Sequence, residues 1–250
     1  MAYEDRNYYG GTRLFIFENA EEMRKAIQTA EVYKDEDLPA FIIDKSWYLV
    51  DDKGNPIPTV ATGGKRVFQI GDIVSMYEGK EMKLRDKQGQ IIQSVLKSFH
   101  VISVFGKVNT VLVGITSKNK KNKEGKGIAS LINDDSIDVS ESLKLSRIVG
   151  SPVIQKRATA FHNVEFVTFV LRHEFNELES GGPPLTNVRI AAVAIRPIPE
   201  GSELSAAYGD SYWNKFLQSK LNQLSKTRSN LRDNFMELTR VSNAIQCRTK

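Results

Sequence analysis

"AAVAIRPIPEGSELSAAYGDSYW", residues 191–213, is an apolar run, then a turn marked by proline and glycine, then a short run ending in two tyrosines and a tryptophan. Pro199-Glu200-Gly201 reads as a tight turn, because proline presets one backbone angle and glycine accepts a positive φ. The density of aromatics just after it asks what they pack against or bind.

Upstream, the chain is a series of short β-rich runs: "KRVFQI" (65–70), "GDIVSMYEG" (71–79), "IIQSVLKSFHVISVFG" (91–106), "NTVLVGIT" (109–116), "VEFVTFVLRHEF" (164–175) and "VRIAAVAI" (188–195). Glycines and prolines punctuate them. No strand alternates regularly with a helix of ten or more residues, which argues against a doubly wound sheet and for a mostly β fold of small curved sheets. Nearer the N-terminus, "NAEEMRKAIQTAEVY" (19–33) reads as a helix capped by Asn19, with Ala20, Met23, Ala26 and Ile27 on one face. "AFIIDKSWYLV" (40–50) reads as a strand and "DDKGNP" (51–56) as a turn.

Downstream of Trp213 the period changes. Leu217, Leu221, Leu224, Leu231, Phe235, Leu238 and Ile245 form a helical stripe, with Arg228 and Ser242 at its two skipped places. The stripe serves either packing against the domain or self-association, so a homodimer through this helix is among the expectations.

At 250 residues, 40% hydrophobic and 26% charged, the chain has the composition of a folded protein with a sizeable core. No run approaches a membrane span, and "MAYEDRNYYGG" (1–11) lacks a signal-peptide pattern, so no membrane partner is expected. The lone Cys247 makes neither an internal disulfide nor a four-cysteine zinc site and suits a reducing, intracellular compartment. The net charge of +5 is concentrated in "SKNKKNKEGKG" (117–127) and the tail. Without zinc-finger spacing or an RNA-binding strand signature, nucleic acid is expected only as an indirect or weak partner. His100, His162 and His173 show no metal spacing, and "GKG" (125–127) lacks the P-loop pattern, which excludes a Walker-type triphosphatase.

Five pieces stand in a particular order: "GDIVSMYEGKEM" (71–82), "NTVLVGIT" (109–116), "GKGIASLINDD" (125–135), "HNVEFVTF" (162–169) and the opening stretch. Together they resemble a SET domain, the fold of most protein lysine methyltransferases. The residues that carry the likeness are Tyr77 and Gly79; Ala129, Ile132 and Asn133; Asn163, Val164 and Phe166; and Gly201, Glu203, Leu204, Tyr208 and Gly209. The chain departs from the family where Asp134 takes the place of a histidine and where an insertion separates Asn133 from Asn163. The family's cysteine cluster after the domain is absent, leaving the helical tail to wall the channel.

The resemblance implies a SET-like domain over 60–213 with an insertion over about 135–160, a flanking segment 1–59 in the same unit, and a basic helical tail 214–250. It implies a knot-like C-terminal part in which two segments pass one through the other and bring Asn133, Asn163 and Tyr208 together. It also implies S-adenosyl-L-methionine as cofactor and transfer of its methyl to a lysine amine of a protein substrate. Histone, and with it the nucleus and a chromatin role, is one candidate; ribosomal or another basic protein is another. On this likeness Tyr208 and Tyr77 are the catalytic residues, with Tyr77 lining the channel. The cofactor falls to Asn133, Asp134, Asn163, Tyr208 and Trp213, and to Gly64 in "ATGGKRVFQIGD" (61–72), with "GGTRLF" (10–15) a rival for that glycine segment. No metal site is implied. Trp213 either stacks on adenine or anchors the tail; Glu203 holds the loop before Tyr208. The acidic "NDDSIDVSES" (133–142) would steer a lysine-rich substrate. The alternative is a SET-like scaffold without catalysis, working as an interaction module through its lysine loop or tail.

Overall fold

A computed structural model describes residues 3–7, 12–31, 40–41, 59–60, 62, 67–92, 101–114, 129–158 and 161–225. The chain forms two compact units: one takes residues 1–135 and 161–207, the other 136–160 and 208–250.

The larger unit is built on a five-stranded sheet. Its members are β1 (Tyr3–Asn7), β2 (Arg13–Phe17), β5 (Ile73–Met76), β9 (Val164–Leu171) and β10 (Arg189–Ala194), in the order β1-β2-β9-β10-β5. All pairs are antiparallel except β2 with β9, where Phe15 lies opposite Phe169 in parallel register. Successive side chains of a strand point to opposite faces. In β2, Leu14 and Ile16 therefore pack with Val170, Phe175, Leu185 and Val188, while Phe15 and Phe17 join Met23, Phe169 and Val193. Burial on both faces explains why "RLFIF" is apolar without alternation. Phe15 stacks on Phe169 at 5.6 Å, and Phe17 meets the same ring edge-on at 5.2 Å.

Two smaller sheets belong to the same unit. β3 (Ala40–Phe41) pairs with β4 (Thr59–Val60). β6 (Gly79–Lys83), β7 (Val101–Ser103) and β8 (Thr110–Gly114) form a sheet in the order β6-β8-β7. Gly79 is required where β6 meets β8: a Cβ there would stand 2.4 Å from the Val113 carbonyl oxygen. Helix α1 (Ala20–Glu31) has the expected cap, for Asn19 Oδ1 accepts from the backbone N–H of Glu21 and Glu22 at 3.1 and 3.0 Å.

The smaller unit contains α2 (Val139–Val149) and a helix, α4, that begins at 210 and is described through 225. Asp138 caps α2 by accepting from the N–H of Glu141 at 2.9 Å, and Gly150 ends it at φ 79°. Its buried face is Val139, Ser142 and Ser146. The two serine hydroxyls accept from the N–H groups of Gln155 and Val153, each at 2.8 Å, and so hold the returning segment.

Helix is more abundant than a mostly β fold implies: the chain is a sheet-rich α and β mixture. The insertion contains α2, and the run 164–175 is a strand only to Leu171, because Arg172–Glu179 is helical (α3). The stripe from Leu217 begins on α4, with Leu217 fully buried. Its members from Arg228 onward lie outside the described residues, as do the lysine loop 117–127, the turn 51–56 and Cys247. Among the described residues no helix is long and apolar enough to cross a membrane.

Candidate functional site

The turn at 199–201 is held against Thr62. Gly201, at φ 71°, donates its N–H to the Thr62 carbonyl, and Thr62 Oγ1 donates to the Pro199 carbonyl at 2.8 Å. From this fixed turn, residues 203–206 run between two other segments. On one side Ala206 N–H donates to the Asn133 carbonyl at 3.0 Å, within a parallel bridge between Asn133 and Ser205. On the other, the N–H groups of Asn163 and Val164 donate to the Ser205 carbonyl at 3.0 and 3.1 Å. Three pieces far apart in sequence are thereby laced into one crossing.

Asn163 works in that crossing with its whole amide. Its Nδ2 donates to the Glu203 carbonyl at 2.8 Å and its Oδ1 accepts from Ser205 N–H at 2.9 Å. A neutral side chain with a donor at one end and an acceptor at the other suits two backbone groups of opposite polarity.

Asn133 differs. It follows a buried 3₁₀ turn, Ala129–Leu131, and is itself 2% exposed. Its Nδ2 is buried and, among the described residues, has no hydrogen-bond partner, a condition it shares with Glu22 Oε2. An unsatisfied buried amide is unfavourable by about 1–3 kcal/mol, so this donor calls for an acceptor that the described residues do not supply.

Asp134 is fully buried, and its Oδ1 lies 3.1 Å from His162 Nε2. Asp135 Oδ1 lies 3.5 Å from the same nitrogen and accepts from Ser205 Oγ at 2.7 Å. Asp134, Asp135 and His162 offer ligand atoms all within 4.8 Å of one another, a grouping that could hold a cation. Spacing could not reveal it, because the histidine comes from a segment 28 positions away.

The remaining acids of "NDDSIDVSES" are also engaged. Asp138 caps α2, and Glu141 pairs with Lys144 at 3.3 Å. Each acidic side chain of that stretch thus has a local partner.

Tyr77 closes β5, with its N–H on the Ile190 carbonyl at 2.7 Å and its buried ring edge-on to Phe166 at 5.6 Å. Gly64 lies outside the described residues. In the smaller unit, Tyr208 is half-buried and meets Tyr212 edge-on at 4.7 Å. Trp213 is 1% exposed, parallel to Tyr208 at 6.1 Å and edge-on to Phe216 at 5.6 Å. The aromatics of the opening stretch therefore pack together at the start of α4.

No protein-family model and no curated protein matches the chain. Among solved structures, the chain is similar to a proposed histone methyltransferase of Plasmodium falciparum. The identity is 11% over 70% of this chain and 96% of that one, with a TM-score of 0.35.

Proposed function

We propose that the chain is an S-adenosyl-L-methionine-dependent protein-lysine N-methyltransferase of SET type. The observation that carries the reading is the crossing of residues 203–206 between Asn133 and Asn163, with the buried Nδ2 of Asn133 left for an outside acceptor. It joins the three motif segments whose order in the sequence resembles the family.

S-adenosyl-L-methionine would supply a methyl already activated on a sulfonium sulfur, so alignment, desolvation and handling of charge remain for the chain. Asn133 would hold the cofactor through its amide, with the 162–164 segment and Asp134 fixing the peptide on which Asn133 sits. Tyr208 takes its role from its motif: its hydroxyl orients the incoming amine, and the oxygen dipole stabilises positive charge around the transferring methyl. A phenol of pKa about 10 stays neutral and does not compete as a nucleophile. Tyr77 lines the channel, and Trp213 anchors the start of α4. The substrate class is a protein with an accessible lysine, histone among the candidates, in an intracellular compartment that includes the nucleus.

Titration calorimetry with S-adenosyl-L-methionine, followed by a labelled-methyl screen against histones and whole-cell lysate, tests the reading. Cofactor binding with label on protein lysine is the expected result. Absence of both would leave a scaffold that works by interaction.

A further inference from the structure

We propose that His162 is a positioning residue that sets the cofactor amide of Asn133, acting through Asp134 and Asp135. The inference rests on the cofactor reading above and adds to it a role for a residue outside the proposed binding set.

Among the described residues Asn133 Nδ2 bonds to nothing, so no hydrogen bond from this donor sets where it sits. Its position comes from its main chain. Upstream lies the buried turn Ala129–Leu131; at Asn133 itself the carbonyl accepts from Ala206 N–H at 3.0 Å. Downstream, the next two residues both face one imidazole nitrogen, Asp134 at 3.1 Å and Asp135 at 3.5 Å. With the carboxylate ionised, Asp134 can only accept, and Nε2–H is the donor between them. His162 in turn immediately precedes Asn163, whose amide holds Glu203 and Ser205. Asp135 closes the loop by accepting from Ser205 Oγ at 2.7 Å. His162 thus joins the peptide that carries Asn133 to the one that carries Asn163. Its side chain is 22% exposed while Asp134 is 0% exposed, so the imidazole lies between a buried carboxylate and solvent.

The test compares His162→Gln, which keeps a donor near the reach of Nε2, with His162→Leu, which has similar bulk and no donor. Two readouts are taken on the full chain: amide hydrogen exchange at Asn163, Val164, Ser205 and Ala206 without cofactor, and the Kd for S-adenosyl-L-methionine. His162→Leu is expected to speed exchange at these four amides and to weaken affinity about tenfold, the loss of one hydrogen bond to a charged group. Exchange in the β6-β8 pair should not change, and His162→Gln should recover most of both effects. Asp134→Ala combined with His162→Leu should be less than additive, as for residues in one network. Unchanged exchange in His162→Leu overturns the proposal whatever the cofactor does. Faster exchange with an unchanged Kd overturns its link to Asn133. A wild-type chain that binds no cofactor refutes the methyltransferase reading and, with it, the cofactor part of this proposal, while the exchange arm still decides whether His162 holds the crossing. A wild-type melting temperature that rises with added zinc, and does not in His162→Leu, would assign the cluster to a cation and overturn the positioning role.

Discussion

Asn163 and Ser205 bond to each other twice: Asn163 N–H donates to the Ser205 carbonyl at 3.0 Å, and Ser205 N–H donates to Asn163 Oδ1 at 2.9 Å. Ser205 has its other side on Asn133, through the parallel bridge. Whatever loosens Asn163 therefore loosens the middle of the crossing.

Asn163→Ala is expected to lower stability by about 1–3 kcal/mol, because Ser205 N–H and the Glu203 carbonyl lose their buried partner. Asn163→Asp should be worse: it keeps an acceptor for Ser205 but turns a carboxylate oxygen toward the Glu203 carbonyl. Urea unfolding midpoints give the order. An aspartate variant as stable as wild type would show that the side-chain amide does not hold the crossing.

Asn133→Ala should separate affinity from stability. The side-chain donor it removes has no partner in the free chain among the described residues, and the main-chain carbonyl that accepts from Ala206 remains. The Kd for S-adenosyl-L-methionine should rise about tenfold, one hydrogen bond's share, with a small change in melting temperature. A large fall in melting temperature with unchanged Kd would place Asn133 in the core and not at the cofactor.

Tyr208→Phe keeps the ring that meets Tyr212 at 4.7 Å and removes only the hydroxyl. Methyl transfer at saturating cofactor should fall by about 10²–10³, the effect of losing one preorganised polar group, with the melting temperature retained. Wild-type turnover in this variant would remove Tyr208 from the chemistry.

Glu174 gives a pH prediction. It is buried in the first turn of α3 and accepts from the N–H groups of Thr186 and Asn187 at 3.3 and 3.1 Å, and from Asn187 Nδ2 and Thr186 Oγ1. Burial pushes its carboxyl up, but these donors outweigh burial and leave the pKa below the ordinary value. A lowered folded-state pKa means that the group's stabilisation is fully present above the unfolded value of about 4.3 and is lost as pH falls through the folded one. Glu174→Gln should be less stable than wild type at pH 7, with the difference shrinking in the acid range below about 4. Melting curves from pH 7 to pH 3 measure this; a constant difference would rule out the carboxylate as the cause.

Local chemistry was legible in the sequence wherever one short segment contains its own explanation. Asn19 caps α1 because its oxygen reaches N–H groups two and three residues on. Pro199 to Gly201 turns because those residue types permit the angles. The segments of Asn133, Asn163 and Ser205, each singled out in the sequence, meet in the crossing.

Other features required the fold. Helix α2 has a buried face of Val139, Ser142 and Ser146: the positions have helical spacing, but serines carry no hydrophobic signal, and their burial makes sense only once they bond Val153 and Gln155. Helix α3 was hidden behind β9, where an apolar strand runs straight into "RHEF" without a side-chain cap. The parallel pairing of β2 with β9 joins residues about 150 apart, and such pairing leaves no local pattern. For the same reason, sequence set His162 beside Asn163 but could not set it beside Asp134. The amino-acid order determined which groups can donate, accept, turn or cap. Only the tertiary structure decided which of them meet, because a hydrogen bond acts over about 3 Å of space whatever length of chain lies between its ends.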